Sequence, residues 1–580
     1  MYIRDMMKRA VAWLLLVALL VSMAACGSAQ GPTDPTAGSS ESVPADTEPS
    51  VTDPSVTDPS VTEPLPTTPA PTDPTTTIPG PTKPGPTQTV PTEPVVTQPK
   101  PTDPKPTDPV VTQPKPTDPA PTDPNAGLID IDSDPLPCSK RALYDQLFDP
   151  DRKVLVDIQI SDGELQKMQE DYDRYSSFGS KSPIYRMADV VITIDGVGYL
   201  IREVGVRMKG NTSRVDFYSA ADGIYNAIHL KLDFQQTFDD EAYYGSDAKV
   251  WANKDLRKAR KDRTFATLEE LELRWNKTND NTYLREIYAH ELYASEGVLT
   301  PLINLCSLDL GGVHMGLYTV NEPVDKLFLE KRLPAADLGG DLYKCSRKSS
   351  FTTDTSIGVE DEDKGLFYAY DLKTNKKTSD HSALKGLIQA LKDPAMTREK
   401  FASLVDVDRF VTYAAVSWFV GGTDDLRNNY NNFYLYFLKS SGKAIIIPYD
   451  MDMCLGLVSA ETMSHADPFS DRAEIHKDPD KPQENPLFLH TVVRDSLFVS
   501  EYTDALEQVS KNELLKLSTF RSWFQRAKDH YHSHVTPSKK MKNMTGRKMQ
   551  FDIEYTFTET SANIRTYLSA IMETYDSYME

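Results

Sequence analysis

The chain is 580 residues long and carries 85 acidic against 63 basic side chains, a formal net charge of −22 at pH 7. Sixteen Asp and Glu stand against four Lys between residues 30 and 137, so about 12 of those charges sit in one stretch and the remainder is only mildly acidic. No basic stripe is present to meet a phosphate backbone, so no nucleic-acid partner is expected.

Taken in chain order, Arg4, Lys8 and Arg9 precede an apolar run from Val11 to Val21, followed by Met23-Ala24-Ala25-Cys26-Gly27. A basic start, a short apolar stretch and small residues before a cut site make a secretory signal, and the run is too short for a good transmembrane helix. Cys26 after Ala-Ala resembles a bacterial lipoprotein signal. Residues 1–26 are therefore expected to be a lipoprotein signal peptide, with lipidated Cys26 holding the protein at the outer face of the membrane.

Residues 27–137 are expected to be a disordered Pro/Thr/Asp-rich linker. Val95–Pro104 recurs at Val110–Pro119 within a looser Pro-Thr-Asp-Pro array. Such a composition buries too little apolar surface to offset its chain entropy. Its proline content favours an extended spacer of about 3.1 Å per residue, long enough to carry a domain through a cell wall. Beyond Cys26, the chain has Cys138, Cys306, Cys345 and Cys454 and no CxxC pair, so a thiolate metal site is not expected.

Residues 138–580 are expected to fold. Val154–Ile160 alternates as a strand, and Ser161-Asp162-Gly163-Glu164 offers a capping box to a helix reaching about Tyr172. Met187–Ile194 and Tyr199–Met208 flank Asp195-Gly196, a hairpin signal. Asn226–Phe234 alternates again, with His229, Lys231 and Asp233 on one face. Thr282–Glu296 has helical spacing closed by Gly297, and Pro301–Leu310 and Val313–Val320 read as a hairpin around Gly311-Gly312. Leu384–Leu391 and Val407–Val420 read as helices, as do several stretches of the tail from Asn485. Strands first and helices later is an α+β order.

Several catalytic patterns are missing. The chain has no GxxxxGK[ST], no HRD, DFG or GxSxG, and Ala294 breaks an HExxH at His290-Glu291. His465, His476 and His490 have no ligand spacing. Two stretches remain. In Val204–Ser213, alternation puts Arg207 and Lys209 on one face leading into Gly-Asn-Thr-Ser213, a possible phosphate cradle. In Gly421–Gly456, Asp424/Asp425 and Asp450/Asp452 bracket an Asn-rich loop and two strand-like runs, a set of hard oxygen donors suited to magnesium beside phosphate. Turn chemistry alone accounts for Asn428, Asn429 and Asn431.

Arg207-x-Lys209-Gly-Asn-Thr-Ser213, Gly316–Asp325, Asp341-Leu-Tyr-Lys344, Asn432-Phe-Tyr-Leu-Tyr436 and Pro448-Tyr-Asp-Met-Asp452, taken together in this order, resemble the spore coat protein H (CotH) kinase family over about Val154 to Gly456. The resemblance implies an atypical protein-kinase-like, two-lobed fold (a β-rich lobe about 150–320, a helical lobe about 321–580). It also implies ATP with Mg²⁺ or Mn²⁺, and Ser or Thr of surface or secreted proteins as acceptors. By the same resemblance Asp424 would be the catalytic base, with Asp425 as its competitor. Asn432, Asp450 and Asp452 would hold the metal, Asp450 in a catalytic role as well. Lys231 would hold the ATP phosphates, with Lys209 and Lys344 competing, and Glu286 or Glu296 would pair with it. Arg207, Lys209 and Ser213 would lie near the phosphates. Arg285 and Glu322 match further family positions, Glu322 as a nucleotide or structural residue. Two other functions stay open: a catalytically inactive kinase-like surface binding or adhesion module, and a cell-wall carbohydrate enzyme using Asp450 and Asp452 as an acid–base pair.

Overall fold

The computed structural model describes residues 125–580 except 134, 176–180, 212, 222, 347 and 474–483. Cys26, the Pro/Thr/Asp-rich stretch through residue 124, Thr212 and His476 lie outside the described residues.

Eight strands form the first sheet: β1 (Ile129–Asp130), β2 (Val154–Gln159), β3 (Arg186–Ile194), β4 (Val197–Lys209), β5 (His229–Asp233), β6 (Glu270–Trp275), β7 (Ile303–Leu310) and β8 (Val313–Asn321). Their order is β1-β4-β3-β2-β7-β8-β6-β5, and β5 also pairs with β4, so the sheet closes on itself through every strand but β1. Closure removes open edges. The β3–β4 turn works because Asp195 (φ +48°) and Gly196 (φ +86°) both adopt the left-handed conformation that a two-residue hairpin turn requires.

Alternation sorts the side chains. Val154, Val156 and Ile158 of β2, Leu230 and Leu232 of β5, and Leu271, Leu273 and Trp275 of β6 share one core. Helix α1 (Lys140–Leu147) adds Leu143 and Leu147 to it, and α2 (Asp162–Arg174) adds Leu165 and Met168. Ser161 Oγ caps α2 by accepting from Glu164 N, 3.2 Å.

The other side of the sheet is divided. On β7 and β8, Ile303, Leu305 and Leu317 join a second core with α3 (Arg285–Ser295), α4 (Val407–Val420), α6 (Val499–Ser510), α7 (Leu517–Tyr531) and α8 (Ile564–Met579). The short helix Leu426–Asn429 is α5. On β4, β5 and β6 the same side carries Arg207, Lys209, Lys231, Asp233, Glu270, Glu272 and Arg274.

A second, five-stranded sheet lies within the later part of the chain: β9 (Leu342–Cys345), β10 (Ile357–Gly358), β11 (Tyr370–Leu372), β12 (Phe433–Phe437) and β13 (Ala444–Pro448), in the order β10-β11-β9-β12-β13. Phe433 and Leu435 face the helical core, whereas Tyr434, Tyr436 and Ile447 face a smaller core with Phe328 and Leu329. The later half is thus mixed rather than purely helical. Cys138, Cys306, Cys345 and Cys454 are free thiols, and no helix among the described residues is long and apolar enough to cross a membrane.

Gly456 sits at φ +78°, and a Cβ there would come within 2.8 Å of Tyr567 on α8. Gly386 is exposed within the helix Ser382–Leu391, with nothing near its would-be Cβ. Gly456→Ala is expected to destabilise the protein by about 1–3 kcal/mol, whereas Gly386→Ala stabilises it by up to about 1 kcal/mol. Thermal melts of the two variants check the opposite signs.

His314 on β8 bonds Asp309 (2.7 Å) through Nδ1 and the His534 carbonyl (2.9 Å) through Nε2, tying the β7–β8 hairpin to the segment after α7. The Asp309 hydrogen bond raises its pKa above the ordinary 6.5. A folded-state value above the unfolded one gives stability that is complete below the unfolded pKa and lost as pH climbs through the folded value. The melting-temperature advantage of the wild type over His314→Gln is therefore expected to shrink between about pH 6 and pH 8; a constant difference would contradict the assignment.

Candidate active site

The loop after α4 begins at Gly421 (φ +59°), where a Cβ would lie 2.0 Å from Tyr567 Oη. The two aspartates that follow have separate tasks. Asp425 is buried and caps α5: its Oδ1 accepts from Asn428 N (2.8 Å) and its Oδ2 from Ser417 Oγ (2.8 Å). Burial pushes its carboxyl up to about 6. Asp424 is only half-buried. Its Oδ1 accepts from the side-chain amides of Asn429 and Asn431 (3.0 Å to Asn431), and its Oδ2 from Asn432 Nδ2 at 3.1 Å. Asn432 Nδ2 also donates to the Asp424 carbonyl (2.8 Å), which leaves the amide oxygen of Asn432 for another partner. Asn428 is spent on structure, donating to Gly422 O (2.7 Å) and accepting from Ala473 N (2.9 Å).

Hairpin β12–β13 brings the second acidic group alongside. Asp450 holds φ +57°, a left-handed position at the exit of β13. One carboxylate oxygen of Asp450 is held by the buried Arg274 guanidinium, which also binds Glu286 at the start of α3, 2.6 Å. Burial pushes the Asp452 carboxyl up to about 7; the Glu286 and Asp424 carboxylates add to this, and Arg274 and Lys277 oppose it. Asp452 also borders a cleft with Lys277, Glu286 and Trp275. Asp424, Asp450, Asp452 and Asn432 therefore gather around Arg274 and Lys277. Among the described residues no three His, Cys, Asp or Glu side chains form a ready metal cluster. The hard oxygens of two carboxylates and one amide still suit a divalent cation that keeps part of its water.

Facing this loop is the charged strip of the first sheet. Register places Arg207 opposite Lys231, Lys231 opposite Glu272, and Arg274 opposite Thr319. Lys209 Nζ binds Glu272 and donates to Tyr449 Oη at 2.5 Å, the residue just before Asp450. Burial alone would raise the Glu272 carboxyl, but Lys209 and Lys344 outweigh it and hold it down at about 2. Lys344 on β9 lies over the Tyr449 ring, 4.5 Å from its centroid. Burial and then the Lys209 ammonium push its pKa well below the ordinary lysine value.

The remaining expected residues are placed differently from one another. Lys231 pairs with Glu270 (2.8 Å), diagonal to it across β5–β6. The pairing with Glu286 or Glu296 is corrected, because Glu286 takes Arg274 and Glu296 takes Gln508 (2.7 Å) and Asn512 (2.6 Å). Arg207 donates to Ser182 O (3.1 Å) and stacks on Tyr185. Ser213 is buried and donates to Lys209 O at 3.3 Å, closing the turn after β4. Glu322 has no exposed side-chain surface; it accepts from Tyr144 Oη (2.8 Å) and Leu302 N (3.2 Å) and pairs with Arg332 (2.6 Å). None of these partners belongs to the acidic group. Arg285 is buried and reaches the carbonyls of Leu455 and Ala562, bracing the loop that carries Asp452.

Sequence reasoning missed Glu272, Arg274 and Lys277. The signal for Glu272 and Arg274 was present in Glu270-Leu-Glu-Leu-Arg-Trp275, a strict polar–apolar alternation that turns both to one face; Lys277 lies beyond it. His229 shares the face of Lys231 and Asp233, as the alternation indicated, and its Nδ1 accepts from Trp275 N at 3.0 Å. Burial and Arg274 keep that ring well below its ordinary pKa.

Comparison with known proteins places these residues in context. The sequence model described as CotH kinase protein matches residues 243–569, which include Glu322, Asp424, Asn432, Asp450 and Asp452 but not Arg207, Lys209, Ser213 or Lys231. The inner spore coat protein H of Bacillus subtilis (strain 168) is 24% identical over 229 residues, 39% of this chain, and the match spans 61% of that protein's length. The crystal structure of the Helicobacter pylori proinflammatory kinase CtkA is similar at 13% identity with a TM-score of 0.21, covering 46% of this chain and 87% of that one; so low a score carries no argument. The family match runs over more than half of the sequence, and on that ground the chain belongs to the CotH kinase protein family.

Proposed function

We propose that the chain is an atypical protein kinase that transfers the ATP γ-phosphoryl group to Ser or Thr of surface or secreted proteins. The observation that carries this reading is the face-to-face arrangement of the charged strip on β4, β5 and β6 with Asp424, Asn432, Asp450 and Asp452. Family membership supports it. The cations of the strip and Lys344 would receive the nucleotide phosphates. Asn432, Asp450 and Asp452 would hold Mg²⁺ or Mn²⁺, which supplies neutralisation of charge on the phosphate oxygens.

The rest falls to the chain's own groups. Asp424 Oδ2, steadied by Asn432, accepts the proton of the acceptor hydroxyl as its oxygen bonds to the γ-phosphorus and the bond to the β-phosphate bridging oxygen breaks. Three asparagine amides fix the carboxylate's orientation, so no reorganisation is needed when the hydroxyl arrives. Glu286 also holds the Arg274 guanidinium, so Asp450 would be available to help hold the cation. The geometry of Glu322 favours the structural alternative for that residue.

Arg4, Lys8, Arg9, the apolar run and Ala-Ala-Cys26 support action outside the membrane, with lipidated Cys26 as anchor and residues 27–137 as a spacer projecting the folded part through the cell wall. A kinase-like surface module without turnover is the second reading, favoured by the Asp450–Arg274 pair.

The purified full chain, incubated with γ-labelled ATP, Mg²⁺ or Mn²⁺ and an extract of surface proteins, is expected to transfer label. Asp424→Ala is expected to lower transfer by about 10²–10⁴-fold, and Asp450→Asn to lose the transfer that the metal supports. No incorporation, or equal incorporation by both variants, contradicts catalysis and leaves the binding-module reading.

Asp424 and Asp425 are further separated by stability. Asp425→Ala removes the α5 cap and leaves Ser417 unpaired, and is expected to cost about 1–3 kcal/mol. Asp424→Ala is expected to melt within about 2 °C of the wild type while losing transfer. Thermal melts alongside the transfer assay check both.

A further inference from the structure

The hairpin after β10 joins the second sheet to residues on the first-sheet side, and its charges are arranged toward the cation-rich side of the cleft. Asp361 and Leu366 pair across its neck, with Gly365 (φ +64°) in the turn. On one side Glu360 N donates to Asp371 Oδ1 on β11, 2.9 Å. On the other, the Glu360 carboxylate binds Lys181 (2.8 Å), just before β3. The Asp363 carboxylate accepts from Tyr175 Oη (3.1 Å) at the end of α2 and from Tyr243 Oη (2.5 Å) beyond β5.

Glu360 is the inner anion of the hairpin: its side chain is 16% exposed, and Lys373 lies 3.7 Å from its second oxygen. Burial works against its charge, yet Lys181 and Lys373, with Lys344 behind them, hold the carboxyl well below the ordinary range. Lys344 is the same ammonium that lies against Tyr449 and beside Lys209. Glu362 extends the acidic run and acts electrostatically on Arg207. Lys344 stands opposite Asp371 across β9–β11, and the Asp371 carboxylate accepts from Glu360 N; on the other side Arg207 donates to the carbonyl of Ser182, next to the Lys181 that Glu360 binds. Glu360 thus stands between Lys344 and Arg207 at the edge of the proposed phosphate site. The outer side of the hairpin exposes Leu366 (43%) and Phe367 (40%). Its base is narrow, because a Cβ on Gly358 would lie 2.5 Å from the Tyr368 ring.

We propose that residues 359–368 form an acidic strap that lies closed over the cation cluster, with Glu360 standing where a phosphate group is neutralised, so that a polyphosphate ligand must displace it to bind. The inference rests on the nucleotide reading given above for the site itself. A ligand that binds only the open form loses apparent affinity by the fraction of molecules that are open. Removing the Glu360 charge raises that fraction and frees Lys181 to meet phosphate oxygens, while Lys373 keeps its pairing with Asp371. The exposed Leu366 and Phe367 give the strap an outer handle that does not depend on the cleft.

The test is calorimetric binding of sodium tripolyphosphate, and of ATP with Mg²⁺, to the full chain as wild type, Glu360→Gln and Asp361→Asn, together with amide hydrogen exchange over residues 359–368. Glu360→Gln is expected to bind tripolyphosphate about tenfold more tightly than the wild type. Asp361→Asn, whose carboxylate pairs with exposed Lys364, is expected to match the wild type. In the wild type, added tripolyphosphate is expected to speed exchange of 359–368. Unchanged or weaker binding by Glu360→Gln, exchange that slows on adding ligand, or no tripolyphosphate binding by either protein overturns the strap. Tighter tripolyphosphate binding by Glu360→Gln with no ATP binding by either protein upholds the strap and overturns the nucleotide reading alone.

Discussion

A buried guanidinium stays charged and has to be paired, and Arg274 finds its partners on two other parts of the chain. From β6 it reaches Glu286 at the start of α3 and Asp450 at the exit of β13. Losing both partners would leave a buried charge uncompensated, which costs several kcal/mol. The position of Asp450 relative to the first sheet is therefore set by an ion pair rather than by the loop's own preferences. Its left-handed backbone is held in the same way, by structure on both sides. Arg285, next to Glu286, extends the constraint to the far end of the loop through the Leu455 carbonyl.

A second buried group works beside it. Glu272 carries the charge balance between Lys209 and Lys344, while the Tyr449 ring separates that balance from the carboxylates beyond it. Two lysines share one close carboxylate, so the strip has a surplus of positive charge facing a loop with a surplus of negative charge. A bound polyphosphate with its cation would answer both surpluses together. The hairpin after β10 brings a further anion close to the strip, with Glu360 binding Lys181 and lying near Lys373.

Local chemistry was legible in the sequence. The β3–β4 hairpin followed from Asp195-Gly196, the start of α2 from Ser161, and α4 from the helical reading of Val407–Val420. The oxygen donors of the site were legible for the same reason, since Asp424 to Asn432 and Asp450 to Asp452 are close in sequence. Their partners were not. Strand β6 is built from Glu, Leu and Arg, residues with helical preference, and only tertiary pairing makes it a strand. Lys231 was matched to Glu286 or Glu296, at the two ends of α3, because a kinase-like pairing suggested them, whereas Glu270, diagonal to it on the next strand, binds it. Asp424 and Asp425 look alike in sequence; burial and a helix cap separate them.

The central claim is that the charged strip and the carboxylate loop together bind a nucleotide through a divalent cation. Titration of the full chain with ATP, with and without Mg²⁺, tests it most directly when wild type and Asp450→Asn are compared. The account predicts tight binding by the wild type only when the cation is present, and weak, cation-independent binding by the variant. Equal ATP affinity with and without Mg²⁺, unchanged in Asp450→Asn, would contradict it.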